Sequence, residues 1–328
     1  MKEKIIELLK QNKNNFISGQ KISESLGVSR AAIWKYINSI KEDGYEIESV
    51  SRKGYKLVAS PDLLTFEEIK DTLNTKYIGR NIVHLESVDS TNNEAKKLAN
   101  KDVIEGTVVI AEEQTMGKGR LGRNWVSPKY KGVWMSIILT PDINPMNVPK
   151  VTQVAAASVI MGFKKNGIEA FVKWPNDIVI NGKKVCGILT EMSGEINKVN
   201  YVVIGIGINV NINEEEFPKE VSAVASSLKI QSGKTISRKE VVSSTLNYFE
   251  ELYEEFITKE NIDTSIKICK ENSILLGKEI KVIERNKKLL AKALDLSDEG
   301  RLIVQYSNGK VEEIMSGEVS VRGINGYV

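Results

Sequence analysis

Strand-like and helix-like stretches alternate along this chain from residue 78 onward, and this order constrains the fold more than any other feature. Apolar runs that predict strands cover residues 83–86, 107–111, 133–139, 171–174, 178–180, 185–191 and 201–209. Between them lie helical patterns such as the alanine-rich run 148–164, and Asn181-Gly182 predicts a type I′ hairpin turn. A capping sequence at Ser237 precedes a further helix with an apolar stripe. The alternation predicts a mixed α+β domain.

A chain of 328 residues is too long for one ordinary domain, and its first 60 residues form a distinct segment. Two helical patterns precede a third, over residues 29–41, in which Ile33, Ile37 and Ile40 share one face. The residues on the opposite face are Arg30, Trp34, Lys35 and Asn38. This is the arrangement of a helix-turn-helix, whose second helix presents side chains to the major groove of DNA.

A short basic hairpin follows the third helix. Strands are predicted at 45–50 and 55–58, and we expect Arg52 and Lys53 in the turn to contact DNA phosphates, as the wing of a winged helix. Residues 1–60 hold 11 lysines and arginines against 7 acids, whereas the net charge of the whole chain is +3. The basic excess favours DNA over the alternative, a small three-helix module that docks protein.

Short strands are also predicted near the C-terminus, at 279–283, 289–294, 301–306 and 311–314, with glycine-containing turns between them. This pattern predicts a small SH3-like β barrel, and a simple packing module is the alternative. With a linker at 59–64, the predicted domains are 1–60 (winged helix), 65–272 (central domain) and 273–328 (β barrel).

Glycines alternate with cations in the segment Gly117-Lys118-Gly119-Arg120-Leu121-Gly122-Arg123, which follows a predicted strand. Glycines allow backbone N–H groups to approach a ligand closely, and the cations supply charge for an anion. The spacing fits neither the P-loop nor the dinucleotide-binding fingerprint. A flexible solvated connection is the alternative for such a loop.

Composition excludes several kinds of site. His84 is the single histidine and lies in a predicted strand, so a structural role is expected and a histidine-rich metal site is excluded. No metal site is predicted. Phosphate and adenylate chemistry fits this composition, because positioning and charge neutralisation do most of its work. Cys186 and Cys269 cannot form a disulfide framework, which favours the reducing cytoplasm, and no apolar run is long enough to span a membrane.

Polar residues that could bind a ligand gather at the predicted strand ends. They are Ser90-Thr91-Asn92, Gln114, Trp125, Lys173-Trp174-Pro175-Asn176-Asp177 and Lys184. Each group has an ordinary alternative: helix capping for the first, a turn for Pro175-Asn176-Asp177, and a solvated hairpin lysine for Lys184.

Together, five motifs resemble the biotin–protein ligases and occur in the same order. They are Ser90-Thr91-Asn92, Gly117-Lys118-Gly119-Arg120, Lys173-Trp174-Pro175-Asn176-Asp177, Lys184-Val185-Cys186-Gly187-Ile188-Leu189 and Gly205-Ile206-Gly207-Ile208-Asn209. The N-terminal winged helix resembles that of the bifunctional members, which are both ligase and biotin operon repressor. The resemblance extends to a C-terminal β domain that ends near Gly317-Glu318-Val319-Ser320-Val321-Arg322. Lys118 and Leu121 stand where the family's loop usually has arginine.

The resemblance implies a central domain of the biotin/lipoate ligase type and roles for single residues. The residues expected to bind biotin are Ser90, Thr91, Asn92 and Gln114. Those expected in a loop that becomes ordered over biotin and its adenylate are Lys118, Gly119 and Arg120. Lys184 would hold the biotin carboxylate or the acyl phosphate, and Trp125 would stack near the ligand. The residues expected at the nucleotide half are Asn176, Asp177 and Asn209, and Gly207 is expected among the residues that bind biotin or its adenylate.

The implied reaction has two halves. Biotin and MgATP form biotinyl-5′-adenylate and pyrophosphate, and a lysine of the biotin carboxyl carrier protein of acetyl-CoA carboxylase then displaces AMP. Arg120, Lys184 and Mg²⁺ would cancel the repulsion between the two anions, and Asp177 is expected to accept or orient the proton of the acceptor amine. The adenylate-bound form would be a homodimer that represses a palindromic operator. Two alternatives stay open: a transcription factor that only senses a small molecule, and a lipoate-type ligase.

Overall fold

The computed structural model describes residues 1–12, 15–42, 44–101, 103–284, 287–316, 319–324 and 326–328. The chain forms two compact units, Met1–Leu63 and Leu64–Val328. The division lies inside the predicted linker, whereas the predicted boundary at residues 272–273 lies within the second unit and stays a prediction. Gly317 and Glu318 of the C-terminal motif lie outside the described residues.

The first unit is a winged helix-turn-helix, as predicted. Its elements are α1 (Lys2–Gln11), α2 (Gly19–Leu26), α3 (Arg30–Glu42), β1 (Glu46–Val50) and β2 (Gly54–Ala59). Gly27 ends α2 in the left-handed conformation (φ 65°), and Ser29 Oγ accepts a hydrogen bond from the N–H of Ala32 at the start of α3. The isoleucines of α3 are buried in the core with Ile5 and Ile22.

The outer face of α3 carries the residues that were predicted to contact DNA. Arg30, Trp34 and Lys35 are exposed, and Asn38 is half-buried. Arg52 and Lys53 are exposed in the turn between β1 and β2, where Arg52 has a positive φ of 63°. Because α3 packs into the core through Ile33, Ile37 and Ile40, its opposite face remains accessible to a partner.

The second unit contains the predicted mixed sheet. Its strands are β3 (Ile82–Leu85), β4 (Val108–Ala111), β5 (Gly132–Leu139), β6 (Phe171–Lys173), β7 (Asp177–Ile180), β8 (Lys183–Glu195) and β9 (Lys198–Asn209). They pair in the order β3-β4-β5-β9-β8-β7-β6, parallel between β3 and β4 and antiparallel elsewhere. Asn181 and Gly182 both have positive φ (48° and 75°) in the β7–β8 turn, as a type I′ turn requires.

Helices cover both faces of this sheet. They are α4 (Phe66–Ile69), α5 (Thr91–Ala99), α6 (Val148–Lys165), α7 (Lys219–Ser222), α8 (Leu228–Ser232), α9 (Arg238–Lys259) and α10 (Asp263–Glu271). Successive side chains of β5 enter different clusters: Ile137 packs with α6 and α9, whereas Ile138 packs with Ala95 of α5. The predicted stripe of α9 is buried, with Leu246 and Phe249 inaccessible to solvent.

The last strands form the small β domain. They are β10 (Glu279–Glu284), β11 (Lys287–Leu296), β12 (Leu302–Tyr306), β13 (Val311–Ile314) and β14 (Val319–Gly323), all antiparallel in the order β13-β12-β11-β10-β14. Within the described residues the outer strands β13 and β14 do not pair with each other, so no hydrogen-bonded closure of the predicted barrel is seen there. None of the described helices is both long enough and apolar enough to cross a membrane.

Candidate active site

A cavity of about 460 Å³ opens in the second unit, a volume typical of small-molecule sites. Every residue predicted to bind biotin or its adenylate lines it: Ser90, Thr91, Asn92, Gln114, Lys118, Gly119, Arg120, Trp125, Asn176, Asp177, Lys184, Gly207 and Asn209. The start of α5, the glycine loop, β7–β9 and the C-terminal residues form its walls. Residues from five separate motifs therefore meet at one place.

One end of the cavity is built from uncharged polar groups, hereafter the neutral end. Ser136 Oγ lies 2.8 Å from Thr91 Oγ1 and 2.6 Å from Asn92 Oδ1. Thr91 donates through its hydroxyl (3.0 Å) and its N–H (2.9 Å) to Gln114 Oε1, and Gln114 Nε2 donates to Ser127 Oγ (2.8 Å). These hydrogen bonds join Ser136, Thr91, Gln114 and Ser127 into one network.

The Ser90-Thr91-Asn92 motif does not cap its helix. Ser90 occupies the N-cap position of α5, yet its side chain makes no capping hydrogen bond. Asn92 instead turns toward β8, where its Nδ2 donates to Glu191 Oε2 (2.8 Å), and Lys96 forms an ion pair with the same carboxylate (2.8 Å). The capping alternative therefore does not account for this motif.

Glycines of β9 make room for side chains from other elements. A Cβ at Gly205 would collide with the amide of Asn92, and a Cβ at Gly207 would lie 2.6 Å from Trp125 Nε1. No real Cβ approaches so closely, so both positions require glycine while Asn92 and Trp125 stay where they are. The Gly205-Ile206-Gly207 motif therefore provides the space into which Asn92 of the neutral end and the Trp125 ring pack.

The other end of the cavity carries charge, and we call it the cationic end. Lys184 and Asp177 form an ion pair, and Lys184 Nζ lies 5.1 Å from the centre of the Trp125 ring. Burial opposes the ionisation of Asp177, but Lys184 and Lys173 nevertheless hold its pKa below the usual range. Lys184 is therefore not a solvated lysine of the hairpin turn, because it lines the cavity and pairs with Asp177.

Lys173 and Tyr327 complete the cationic end, although neither was assigned a role from the sequence. Lys173 is 4% exposed, its Nζ donates to the carbonyl of Val321 (3.0 Å), and burial lowers its pKa to about 8. The Tyr327 hydroxyl donates to Asp177 Oδ2, and its ring centre lies 4.1 Å from Lys173 Nζ. Lys173 lies inside one of the five sequence motifs, whereas no sequence pattern marks Tyr327.

The glycine loop is a small hydrogen-bonded hairpin that lines the cavity. The N–H of Trp125 donates to Gly117 O (2.8 Å) and that of Gly119 to Arg123 O (2.7 Å). Arg120 points inward and donates to Asn176 Oδ1 (3.0 Å) and to the carbonyl of Ser316, whereas Lys118 is exposed and donates to Asn93 Oδ1 (3.1 Å). Arg120 is therefore a loop cation that is held at the cationic end, and Arg123 of the same loop also lines the cavity.

The two asparagines that were predicted to shape the nucleotide half hold backbone in place. Asn176 Nδ2 donates to the carbonyl of Ile188 (2.7 Å), and Asn209 Nδ2 donates to that of Ser226 (3.0 Å). Both asparagines also line the cavity, and Asn176 Oδ1 accepts the hydrogen bond from Arg120.

His84 lies away from the cavity in a buried ionic cluster. Its Nε2 is 2.9 Å from Glu112 Oε1, and Arg238 Nη1 donates to Glu112 Oε2 (2.6 Å). Burial opposes the ionisation of Glu112, yet His84 and Arg238 lower its pKa below the usual value. Since Arg238 and Glu112 are buried, this cluster belongs to the packed interior, which agrees with the structural role expected for His84.

Comparison with known proteins agrees with this geometry. Residues 84–209 match the biotin/lipoate A/B protein ligase family, residues 2–56 an HTH domain, and residues 275–322 the biotin protein ligase C terminal domain. These matches, with the fold and the two-ended cavity, define the class of biotin/lipoate protein ligases.

Individual relatives extend the likeness to the whole chain. The bifunctional ligase/repressor BirA of Bacillus subtilis (strain 168) is 42% identical over 323 residues, which is 98% of each chain, and that of Escherichia coli K12 is 28% identical over 97% of this chain and 96% of its own. The structure of a biotin protein ligase from Aquifex aeolicus, in complex with biotin and ATP, superposes with a TM-score of 0.64 at 32% identity, covering 74% of this chain and 99% of that one. The chain therefore belongs to the bifunctional ligase/repressor family of biotin–protein ligases.

Proposed function

We propose that the second unit activates biotin with ATP and transfers it to a lysine of the biotin carboxyl carrier protein of acetyl-CoA carboxylase. One observation carries this proposal: a single cavity has hydrogen-bonding amides and hydroxyls at one end and Arg120, Lys173 and Lys184 at the other. The uncharged end suits the ureido ring of biotin, and the cationic end suits a carboxylate that meets a phosphate.

In the first half-reaction the biotin carboxylate oxygen attacks the α-phosphorus of ATP and forms a new O–P bond. The bond between the α-phosphorus and the oxygen that bridges to the β-phosphate breaks, and pyrophosphate leaves. A carboxylate is already ionised, so this step needs no protein base. It needs two anions held in line with their repulsion cancelled, which Arg120 and Lys184 can provide from fixed positions. Arg120 is held by Asn176 at 3.0 Å, which supports such a preorganised role.

In the second half-reaction the neutral acceptor amine attacks the acyl carbon, the bond between that carbon and the phosphate oxygen breaks, AMP leaves, and the proton of the amine nitrogen passes to solvent. We assign Asp177 the orienting role rather than that of proton acceptor. The lysines beside it keep its pKa low, and a carboxylate with a low pKa binds a proton weakly. Transfer from preformed adenylate by Asp177→Asn tests this: an unchanged rate would remove Asp177 from the step.

Magnesium is proposed to enter with ATP. Among the described residues there is no group of three or more His, Cys, Asp or Glu side chains that could hold a metal, and Asp177 is the one carboxylate among those that line the cavity. Since Lys184 and Tyr327 engage both oxygens of this carboxylate, the ion would take its ligands mainly from phosphate and water.

We further propose that the first unit binds operator DNA as part of an adenylate-bound homodimer. The exposed Arg30, Trp34 and Lys35 on α3 and the exposed wing residues support DNA as the partner. Replacing Arg52 and Lys53 together by alanine should weaken binding to all DNA sequences and reduce the slope of log K against log salt by about 2. An unchanged slope would remove the wing from the interface.

We place the reaction in the cytoplasm, where both cysteines would stay reduced. Cys186 and Cys269 are free and buried, and burial raises the pKa of the Cys269 thiol to about 12, so neither thiol is set up for exchange.

The decisive experiment measures pyrophosphate release with biotin and MgATP, then counts radiolabelled biotin on a carrier domain. Lipoate in place of biotin is the matched control. Transfer of label to the carrier with biotin but not with lipoate supports the proposal. Pyrophosphate release with lipoate but not with biotin would indicate a lipoate ligase. Binding of biotin without any pyrophosphate release would indicate a sensor.

A further inference from the structure

The C-terminal segment is folded back into the cationic end of the cavity. Gly323 and Gly326 form a bridge, and a Cβ on Gly323 would collide with the backbone of Val328, so the chain reverses tightly there. Lys281 Nζ of β10 donates to the carbonyl of Ile324 (2.6 Å) and fixes the reversal from the side. The segment is therefore held, and it delivers Tyr327 to the cavity wall.

Tyr327 contacts the charged side chains through two different parts of its own side chain. The hydroxyl donates to Asp177 Oδ2, while Lys184 contacts the other oxygen of that carboxylate. The ring faces two cations, Lys173 Nζ at 4.1 Å and the Arg322 guanidinium at 4.9 Å, which is within range of cation–π attraction. One tyrosine thus links the carboxylate and two cations of the same site.

From these contacts we infer that Tyr327 is a positioning residue of the ligase reaction, which fixes Asp177 through its hydroxyl and Lys173 through its ring. The inference rests on the proposed adenylation chemistry. Asp177 also forms an ion pair with Lys184. If the Asp177 carboxylate lost its hydrogen bond to Tyr327 and moved, Lys184 would therefore move with it and no longer be aligned with the reacting anions. Burial and the charge of Asp177 raise the pKa of Tyr327, so the hydroxyl keeps its proton and remains a donor.

Two substitutions separate the two contacts. Tyr327→Phe keeps the ring and removes the hydroxyl, and it should lower the kcat of adenylation about tenfold, the size expected for a lost hydrogen bond to a charged group, with an unchanged KM for ATP. Tyr327→Leu removes the ring as well and should also raise the KM for ATP. Tyr306→Phe, on β12 and outside the cavity lining, is the matched control and should change neither constant.

A double-mutant cycle with Asp177→Asn tests whether the hydroxyl acts through Asp177. We expect Tyr327→Phe to have little further effect in the Asp177→Asn background, with melting temperatures recorded for all four chains. Equal effects in both backgrounds, a kcat that Tyr327→Phe leaves unchanged, or activity that rises when residues 325–328 are deleted would each overturn the inference.

The cycle is run with whichever acid, biotin or lipoate, the unaltered chain activates. Activation of lipoate alone would defeat the proposed function while the cycle still decides the role of Tyr327.

Discussion

The side chains at the neutral end and at the cationic end of the cavity are held in position by different interactions. At the neutral end, Ser136, Thr91 and Gln114 satisfy one another through short hydrogen bonds without any formal charge. At the cationic end, Asp177 balances Lys184 and Lys173, and each charge depends on its neighbours. The difference teaches that one half is preorganised by shape and hydrogen bonds, whereas the other is tuned by electrostatics and responds to pH.

The sharpest way to break the cationic end is to remove its central lysine. Lys184→Met should reduce the kcat of adenylate formation about 10²–10³-fold, because a fixed charge that meets the developing transition state is lost. Pyrophosphate release at saturating biotin and ATP measures this. Lys183→Met changes the adjacent lysine, which is not among the cavity-lining residues, and should leave kcat intact; equal losses in both variants would deny Lys184 a special role.

The neutral end can be disrupted through Gly205 of β9, against which Asn92 packs. Gly205→Ala places a methyl group against the Asn92 amide, so Asn92 must move, and we expect the KM for biotin to rise about 10–100-fold. The KM for ATP should change far less because the cationic end is untouched. Steady-state titration of each substrate tests the split, and a parallel rise in both KM values would contradict the separation of the two ends.

A milder change sharpens the same comparison. Thr91→Val removes the hydroxyl between Ser136 and Gln114, and we expect about fivefold weaker biotin binding and about 1 kcal/mol less free energy of unfolding. Thr107→Val deletes a hydroxyl that is buried outside the cavity, where it donates to Ile104 O. This control should lose stability without weakening biotin binding, as measured by calorimetry.

The smallest expected effect is a pH dependence confined to the cationic end. Lys173 has a pKa of about 8, below its ordinary value, so it loses its positive charge as the pH rises through 8. The KM for ATP should therefore rise a few-fold between about pH 7.5 and 9, while the KM for biotin stays level.

The linked effect on stability has the opposite sign. Because the folded pKa lies below the unfolded one, burial of Lys173 costs stability at low pH, and this cost disappears as the pH rises from about 8 toward the unfolded value. Lys173→Met should flatten both trends. A KM for ATP that still rises with pH in that variant would assign the titration to another group.

Much of this architecture could be predicted from local pattern, and the failures share one cause. The isoleucine spacing in α3, the Asn181-Gly182 turn and the α9 stripe each depend on nearby residues, and the structure confirms them. Ser136 joins the site because it pairs with Gly205 across β5 and β9, and sequence does not state which strands are neighbours. Tyr327 lies 150 positions from Asp177 along the chain, so only the folded tail brings them together.

The glycines of β9 also bear on how ligand preference could change over time. At Gly205 and Gly207, β9 presents only backbone to the side chains of Asn92 and Trp125, and both of these residues belong to other segments of the chain. A new preference for a bulkier or slimmer acid could thus arise by exchanging either side chain while the sheet keeps its framework. Directed evolution of this protein would gain most by randomising those two codons and leaving the strand alone.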